Sequence, residues 1–303
     1  MIEITRCFSP TDWDTFCDFN ATWRHLSDFM MYAQIRDGSK DRSAVLKQGN
    51  KIIGIIPIHV NGQEMTMLGG SLPGPVVPLH YWPDVLNYLE EIAPEYGVKR
   101  AQFRIDLPGL LPLPSFTRKV TQKELEPTKG NKALLTKCTQ KYTMEECEWQ
   151  TFRENYERIV GRETHKRTEW LCLAGLNDRG NLQVYCIRKE SRIVGVIGFM
   201  EDDNELAYAF SAFEPEAKQD GANVMALWEG MRMSDATTCD LGHQPCFSTI
   251  EHPTEKDLNI AKFKRGFGGT TVREPMSEIF FDELYMLSLL ETRTACYWNR
   301  GVK

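Results

Sequence analysis

The chain has 303 residues, 42% hydrophobic and 26% charged, with a formal net charge of −6 and an isoelectric point near 5.6. That length suits two domains of moderate size, each able to bury a core. The acidic balance argues against a general nucleic-acid coat, which would carry a net basic charge. The nine cysteines include no C-x-x-C, the start lacks an apolar leader, and no apolar run nears the roughly 18 residues of a bilayer span. A cytoplasmic protein with reduced thiols and no membrane span is expected.

In chain order, S-A-V-L-K from Ser43 reads as a strand, Gln48-Gly49-Asn50 as a turn, and N-K-I-I-G-I-I-P-I-H-V as one long apolar strand. Asn61-Gly62 then turns the chain into Q-E-M-T-M, a hairpin signal of the strongest kind. A Gly/Pro-rich loop spans Gly69 to Pro78. An amphipathic helix follows from Trp82 to Tyr96, with Val85, Leu86, Leu89 and Ile92 on one face and Gly97 as its stop. The strand A-Q-F-R-I-D closes the first half.

Between Pro108 and about Lys141 periodicity fades among Pro, Lys, Thr and Gly, which predicts a linker. A helical stretch beginning near Glu145 carries Arg153, Arg158, Arg162, Lys166 and Arg167. Arg158 and Arg162, four apart, are expected to share a face. Intervening glutamates make a solvated helix face the alternative use of these arginines.

The second half repeats the order of the first. L-Q-V-Y-C-I-R, R-I-V-G-V-I-G-F-M and E-L-A-Y-A-F-S-A-F are strands separated by turns at E-S and D-D-N. The loop E-P-E-A-K-Q-D-G leads to a helix from Ala222 to about Asp235, and T-T-C-D-L-G is the closing strand. A repeat of this kind predicts two copies of one fold. The expected division is 1–115, a linker over 116–141, and 142–303.

A loop that feeds a helix N-terminus presents backbone N–H groups and a positive dipole end, suited to a phosphate or an acyl oxygen. Here that loop is Lys218, Gly221, Ala222 and Asn223. Gly221 is expected to admit a ligand to the backbone and Lys218 to add charge. Cys239, His243, Cys246 and His252 match no common zinc spacing, so no metal site is expected.

Residues 206–231, L-A-Y-A-F-S-A-F-E-P-E-A-K-Q-D-G-A-N-V-M-A-L-W-E-G-M, resemble the donor-binding segment of the GNAT superfamily. D-L-G-H-Q and I-A-K-F-K-R-G-F-G-G resemble the C-terminal signature of FemAB-like and related double-GNAT transferases. F-M-M-Y-A-Q-I-R and G-P-V-V-P resemble that family's N-terminal marks. The resemblance spans roughly residues 20 to 275 and is sharpest at Phe263-Lys264 with Gly266-Phe267-Gly268. It implies an α/β (α+β) protein of two tandem GNAT-like lobes, each a mixed, mostly antiparallel sheet flanked by helices, the first lobe degenerate and on the acceptor side.

The activity implied is N-acyl transfer that forms an amide on a small amine acceptor. The donor is an aminoacyl-tRNA or, alternatively, an acyl-CoA or acyl carrier protein, and no cofactor is permanently bound. A non-catalytic binding module is the remaining alternative. Lys264 is expected to offset negative charge at the donor, beside Phe263. Asp240 and His243 end the closing strand, where His243 can serve as a base or shuttle. Tyr208 is either a core aromatic on the face of Leu206 and Phe210 or the acid for the leaving group. The resemblance implies Arg36, Arg158 and Arg162 on the acceptor side. Two departures count. Lys218-x-x-Gly221-x-Asn223 matches the superfamily's pyrophosphate motif only in part, and Pro78 stands where the peptidoglycan-building members carry an acid.

Overall fold

The apolar runs of the second half form an antiparallel meander of three long strands, Leu182–Lys189, Arg192–Glu201 and Glu205–Phe213. They belong to a seven-stranded sheet whose spatial order is Thr143–Glu146, Leu182–Lys189, Arg192–Glu201, Glu205–Phe213, Thr238–His243, Phe116–Thr121 and Thr270–Arg273. Glu205–Phe213 and Thr238–His243 run parallel. A parallel pair needs a crossover, supplied here by the helices Pro215–Asp220 and Ala222–Met233.

Strand alternation sends Ile197 and Phe199 to one face, where Phe199 lies against Gly230 with no space for a Cβ between them. On the other face Phe210, beside Gly198, meets Phe152 of the helix Trp149–Val160 with ring centroids 5.6 Å apart. Helices thus cover both faces of this sheet.

The computed structural model describes residues 2–68, 72–106, 110–113, 115–121, 124–244 and 254–298. Among these, one compact unit comprises residues 2–115 with 273–298, and the other residues 116–244 with 254–272. This differs from the expected division at both ends. Residues 116–141 are built into the second unit: Phe116–Thr121 pairs antiparallel with Thr238–His243, and the helix Lys129–Cys138 packs on the two crossover helices. The end of the expected second lobe joins the first unit, where Ser277–Phe280 pairs antiparallel with Arg100–Arg104 and leads to the helix Glu283–Trp298.

In the first unit the expected long strand after Asn50 is broken. Lys51–Ile56 pairs with Ala44–Gln48, whereas His59–Asn61 pairs with Glu64–Met65 in a different sheet. Pro57 sits at the break, where it has no N–H to give to a ladder. The expected helix is Trp82–Glu95, with Val85 and Leu89 fully buried and Gly97 in a left-handed conformation after it. The architecture is the expected one: α/β, with mixed, mostly antiparallel sheets flanked by helices.

Two further segments depart from the sequence reading. The loop before Gly221 is itself helical over Pro215–Asp220. The basic stretch after Glu145 divides into Trp149–Val160 and Arg167–Asp178. Gly161, left-handed at φ 71°, ends the first of these, so Arg158 and Arg162 do not share a helix face. No helix among the described residues is long and apolar enough to cross a membrane.

Candidate active site in the second unit

The parallel ladder between Glu205–Phe213 and Thr238–His243 holds for only three pairs, ending at Ala207 opposite Asp240. Beyond that point the two strands go different ways. Tyr208 to Phe213 stay with Arg192–Glu201, while His243 pairs with Thr117. Into the resulting opening faces a pocket of about 820 Å³ lined by residues of six elements.

A β-bulge sets the floor. Phe199 pairs with Tyr208 but Gly198 pairs with Phe210, which leaves Ala209 extra. An inserted residue reverses the alternation beyond it. Tyr208 and Ser211, three apart, thereby line the same pocket, and their hydroxyls lie 2.8 Å apart. Tyr208 is 37% exposed, unlike the buried Leu206 two residues before it. The pocket walls still desolvate its phenol and push its pKa above the ordinary value, while the hydrogen bond with Ser211 opposes that rise.

The helix Glu255–Arg265 forms one wall. It starts with a capping box in which Thr254 and Asp257 exchange hydrogen bonds. Lys256, Asn259, Ile260, Phe263 and Lys264 line the pocket at a spacing of three, four, seven and eight, the stripe of one helix face. Phe263 rests edge-on against the fully buried Phe267 at 5.3 Å. Behind it, Gly268 and Gly269 leave no space for a Cβ against the Glu124 and Lys119 carbonyls. The G-F-G-G signature is thus a packing requirement that seats the end of this helix.

Lys264 Nζ donates to the His243 carbonyl at 3.0 Å. That carbonyl is held by the preceding turn. The Asp240 carboxylate, 4% exposed, accepts from the Gly242 N–H at 2.7 Å and from the Thr117 hydroxyl. Gly242 is left-handed, and a Cβ there would stand 3.3 Å from Lys264 Nζ. Asp240 therefore acts on the backbone beside Lys264 and does not line the pocket. The His243 imidazole is exposed and does not line it either.

Of the four donor-loop residues, Lys218 and Asn223 line the pocket and Gly221 and Ala222 do not. Gly221, at φ 92°, turns its α-carbon toward Leu134 and Cys138, where a Cβ would lie 3.2 and 3.3 Å from their side chains. Ala222 is fully buried. Just before them, Asp220 receives Lys137, Lys141 and Tyr142, each at 3.0 Å, and its carbonyl accepts from the Cys138 thiol at 2.8 Å. The hydrogen bonds from Lys141, Lys137 and Tyr142 hold the Asp220 carboxyl far below its ordinary pKa. Burial and the bond to Asp220 push the Tyr142 phenol up to about 12.

Of the three arginines expected to serve the acceptor, two belong to the second unit and one to the first. Arg158 donates to Glu214 at 2.9 Å and to the Ile193 carbonyl at 2.7 Å, and Arg192 takes the other oxygen of Glu214 at 2.5 Å. Arg162 is exposed beyond the helix stop, and Arg36 is exposed on Ser27–Asp37 of the first unit. No cluster of three metal-ligating side chains occurs among the described residues. Cys246 and His252 lie outside them.

Sequence reasoning placed Tyr208, Lys218, Asn223, Phe263 and Lys264 at the site and missed the rest of the lining, Ser211 and the stripe from Lys256 among it. The helical stripe from Lys256 onward and its Thr-x-x-Asp start were legible signals. The bulge had no signal in the sequence.

These features belong to a unit that carries a GNAT-type domain. Residues 148–244 match the acetyltransferase (GNAT) domain family, and the chain has the double-GNAT fold of FemAB-like proteins. Over 96% of this chain and 100% of that one, the chain is similar to the crystal structure of FemX, with a TM-score of 0.67 and 11% identity. It is likewise similar to the C-terminal domain of a putative lysylphosphatidylglycerol synthetase from Agrobacterium fabrum. That match has a TM-score of 0.61 and 16% identity, over 94% of this chain and 97% of that one. L-PGS from Bacillus licheniformis matches with a TM-score of 0.60 and 12% identity, over 94% and 96%. No curated protein sequence matches the chain.

Proposed function

We propose that the second unit transfers an acyl group from an activated donor to an amine and forms an amide. The observation that carries this reading is the convergence of Tyr208, Lys218, Asn223, Phe263 and Lys264 on one pocket at the split in the sheet. The amine nitrogen attacks the donor carbonyl, and the Lys264 ammonium, steadied by the His243 carbonyl, offsets the charge of the tetrahedral oxyanion. As the bond from carbon to the leaving atom breaks, the Tyr208 hydroxyl protonates that atom, and the proton lost by the amine restores the tyrosine. Holding both reactants in the pocket supplies the remainder of the acceleration.

We take the donor to be an aminoacyl-tRNA. Lys218, Lys256 and Lys264 give an otherwise acidic chain a local cationic lining suited to a phosphate backbone. The covered α-carbon of Gly221 favours this donor over one gripped by its diphosphate, since the expected glycine opening is filled by Leu134 and Cys138. The lysyl group in the name of one similar structure agrees with aminoacyl transfer. Acyl-CoA is the second reading, favoured by the match to an acetyltransferase domain over residues 148–244. On the acceptor side of the second unit, the exposed Arg162 is the proposed contact, since Arg158 is engaged by Glu214.

Thermal unfolding with coenzyme A, acetyl-CoA, deacylated tRNA and charged tRNA tests the donor. A ligand that binds only the folded chain raises stability by about 2.7 kcal/mol at a hundred times its Kd. A shift with charged tRNA alone supports the leading reading. A shift with the CoA compounds alone replaces it with the second, and the absence of both removes the proposal.

A further inference from the structure

Within the reading just given, the Ser211 hydroxyl has no role, and it sits beside the group given the acid step. We propose that Ser211 is a positioning residue, whose hydroxyl donates to the Tyr208 oxygen and so aims the phenolic proton into the pocket.

Tyr208 and Ser211 are in register with this task only because Ala209 is inserted between them and the chain opposite. Without the bulge, residues three apart on a strand point to opposite faces. With it, both line the pocket and their oxygens stand 2.8 Å apart. A phenol has one proton. If Tyr208 donated it to Ser211, none would remain for a leaving atom, so a productive Tyr208 must accept from Ser211. That orientation also leaves a donor in place for the phenolate that forms as the leaving atom is protonated. A hydrogen bond to a charged oxygen is roughly twice as strong as one to a neutral oxygen, so Ser211 favours the transition state over the ground state.

The charged and titratable groups around this pair are few. Lys218 enters from the short helix Pro215–Asp220, and Glu255, Lys256 and Lys264 from the helix Glu255–Arg265. Tyr156 of the helix Trp149–Val160 acts on the Tyr208 phenol from outside the pocket lining. The lysines favour the phenolate, and Glu255 and Tyr156 oppose it. None replaces a neutral donor at hydrogen-bond distance.

The direct test is the ionisation of Tyr208 in protein labelled with 3-fluorotyrosine, followed by fluorine NMR and assigned by Tyr208→Phe. Ser211→Ala is expected to raise the titration midpoint of Tyr208 by about one pH unit, a tenfold change in its equilibrium. Ser211→Thr, which keeps the hydroxyl, is expected to restore it. An unchanged midpoint in Ser211→Ala overturns the proposal, whatever donor the protein uses.

The kinetic arm uses whichever of charged tRNA or acetyl-CoA raises thermal stability, with hydroxylamine as the amine. Ser211→Ala is expected to lower kcat about tenfold with KM unchanged. Loss in KM alone assigns Ser211 to binding and overturns the positioning role. A failure of every donor to bind removes the transferase reading itself, and the NMR titration separates that outcome from this one.

Discussion

Lys264 and His25 show how differently two polar side chains are used. Lys264 is half-buried at the end of its helix, where its Nζ donates to the His243 carbonyl. Lys264→Met is expected to lower turnover about 10²–10³-fold, the cost of removing one oxyanion donor, with the thermal midpoint unchanged within ordinary surface effects. Turnover and calorimetry on the same samples check this. His25, deep in the first unit, donates from Nε2 to the Gly74 carbonyl at 2.9 Å and accepts at Nδ1 from the Thr22 N–H at 3.3 Å. Burial lowers its pKa below the ordinary 6.5, more than its backbone contacts raise it. The unfolded chain therefore takes up a proton that the folded chain refuses. Stability should be full above about pH 6.5 and fall below it by at most about 1.4 kcal/mol per pH unit for this group. Urea unfolding of wild type and His25→Gln across pH 5 to 8 should show a shallower acid limb in the variant. Lys264 was legible from its F-K context; His25 was not, because its partners at Thr22 and Gly74 meet only in the folded chain.

Among elements, the junction at Gly221 and the C-terminal helix each hang on few contacts. Gly221→Ala puts a Cβ into a left-handed position facing Leu134 and Cys138, and should destabilise the second unit by about 1–3 kcal/mol. A lower unfolding midpoint with donor affinity retained after correction for folding would mark Gly221 as a packing glycine. A selective loss of affinity would return it to the ligand loop expected from the sequence. The helix Glu283–Trp298 carries no fully buried residue among its described side chains and exposes Leu284 and Leu287. Arg293 anchors it by a two-pronged contact to Glu278, which is 2% exposed, and Tyr285 adds a 2.6 Å bond to Glu64. Arg293→Met leaves a buried carboxylate short of a partner, at a cost of about 3–5 kcal/mol. Hydrogen exchange should then show this helix opening ahead of the rest. Arg293→Met combined with Glu278→Gln should recover part of the loss. The helices at 82–95 and 222–233 were legible because apolar residues recur at helical spacing. The strand broken at Pro57 and the helix at 129–138 were harder, since both are decided by which sheet or helix lies beside them.

For the whole molecule, the salt dependence of donor binding is the discriminating property. A charged tRNA engaging Lys218, Lys256 and Lys264 would release counterions, and its affinity should fall steeply between 50 and 200 mM salt. An acyl-CoA held mainly by Phe213, Leu227 and Phe263 should lose little over the same range. Titrations at the two salt concentrations, read by fluorescence anisotropy of labelled tRNA or by calorimetry with acetyl-CoA, separate them.

The three-stranded meander of the second half and the helices at 82–95 and 222–233 were present in the sequence alone, because hydrophobic period, turn residues and helix stops act over a few neighbouring positions. So was the signature around Phe263 and Lys264. Tertiary structure alone decided that residues 116–121 complete the sheet of the second unit and that residues 277–280 return to the first. It also decided that Ala209 bulges to bring Tyr208 beside Ser211, and that Gly221 faces a helix instead of the pocket. Each of these depends on residues far apart in the chain meeting across a packed face, and no local rule of period or turn chemistry carries that information.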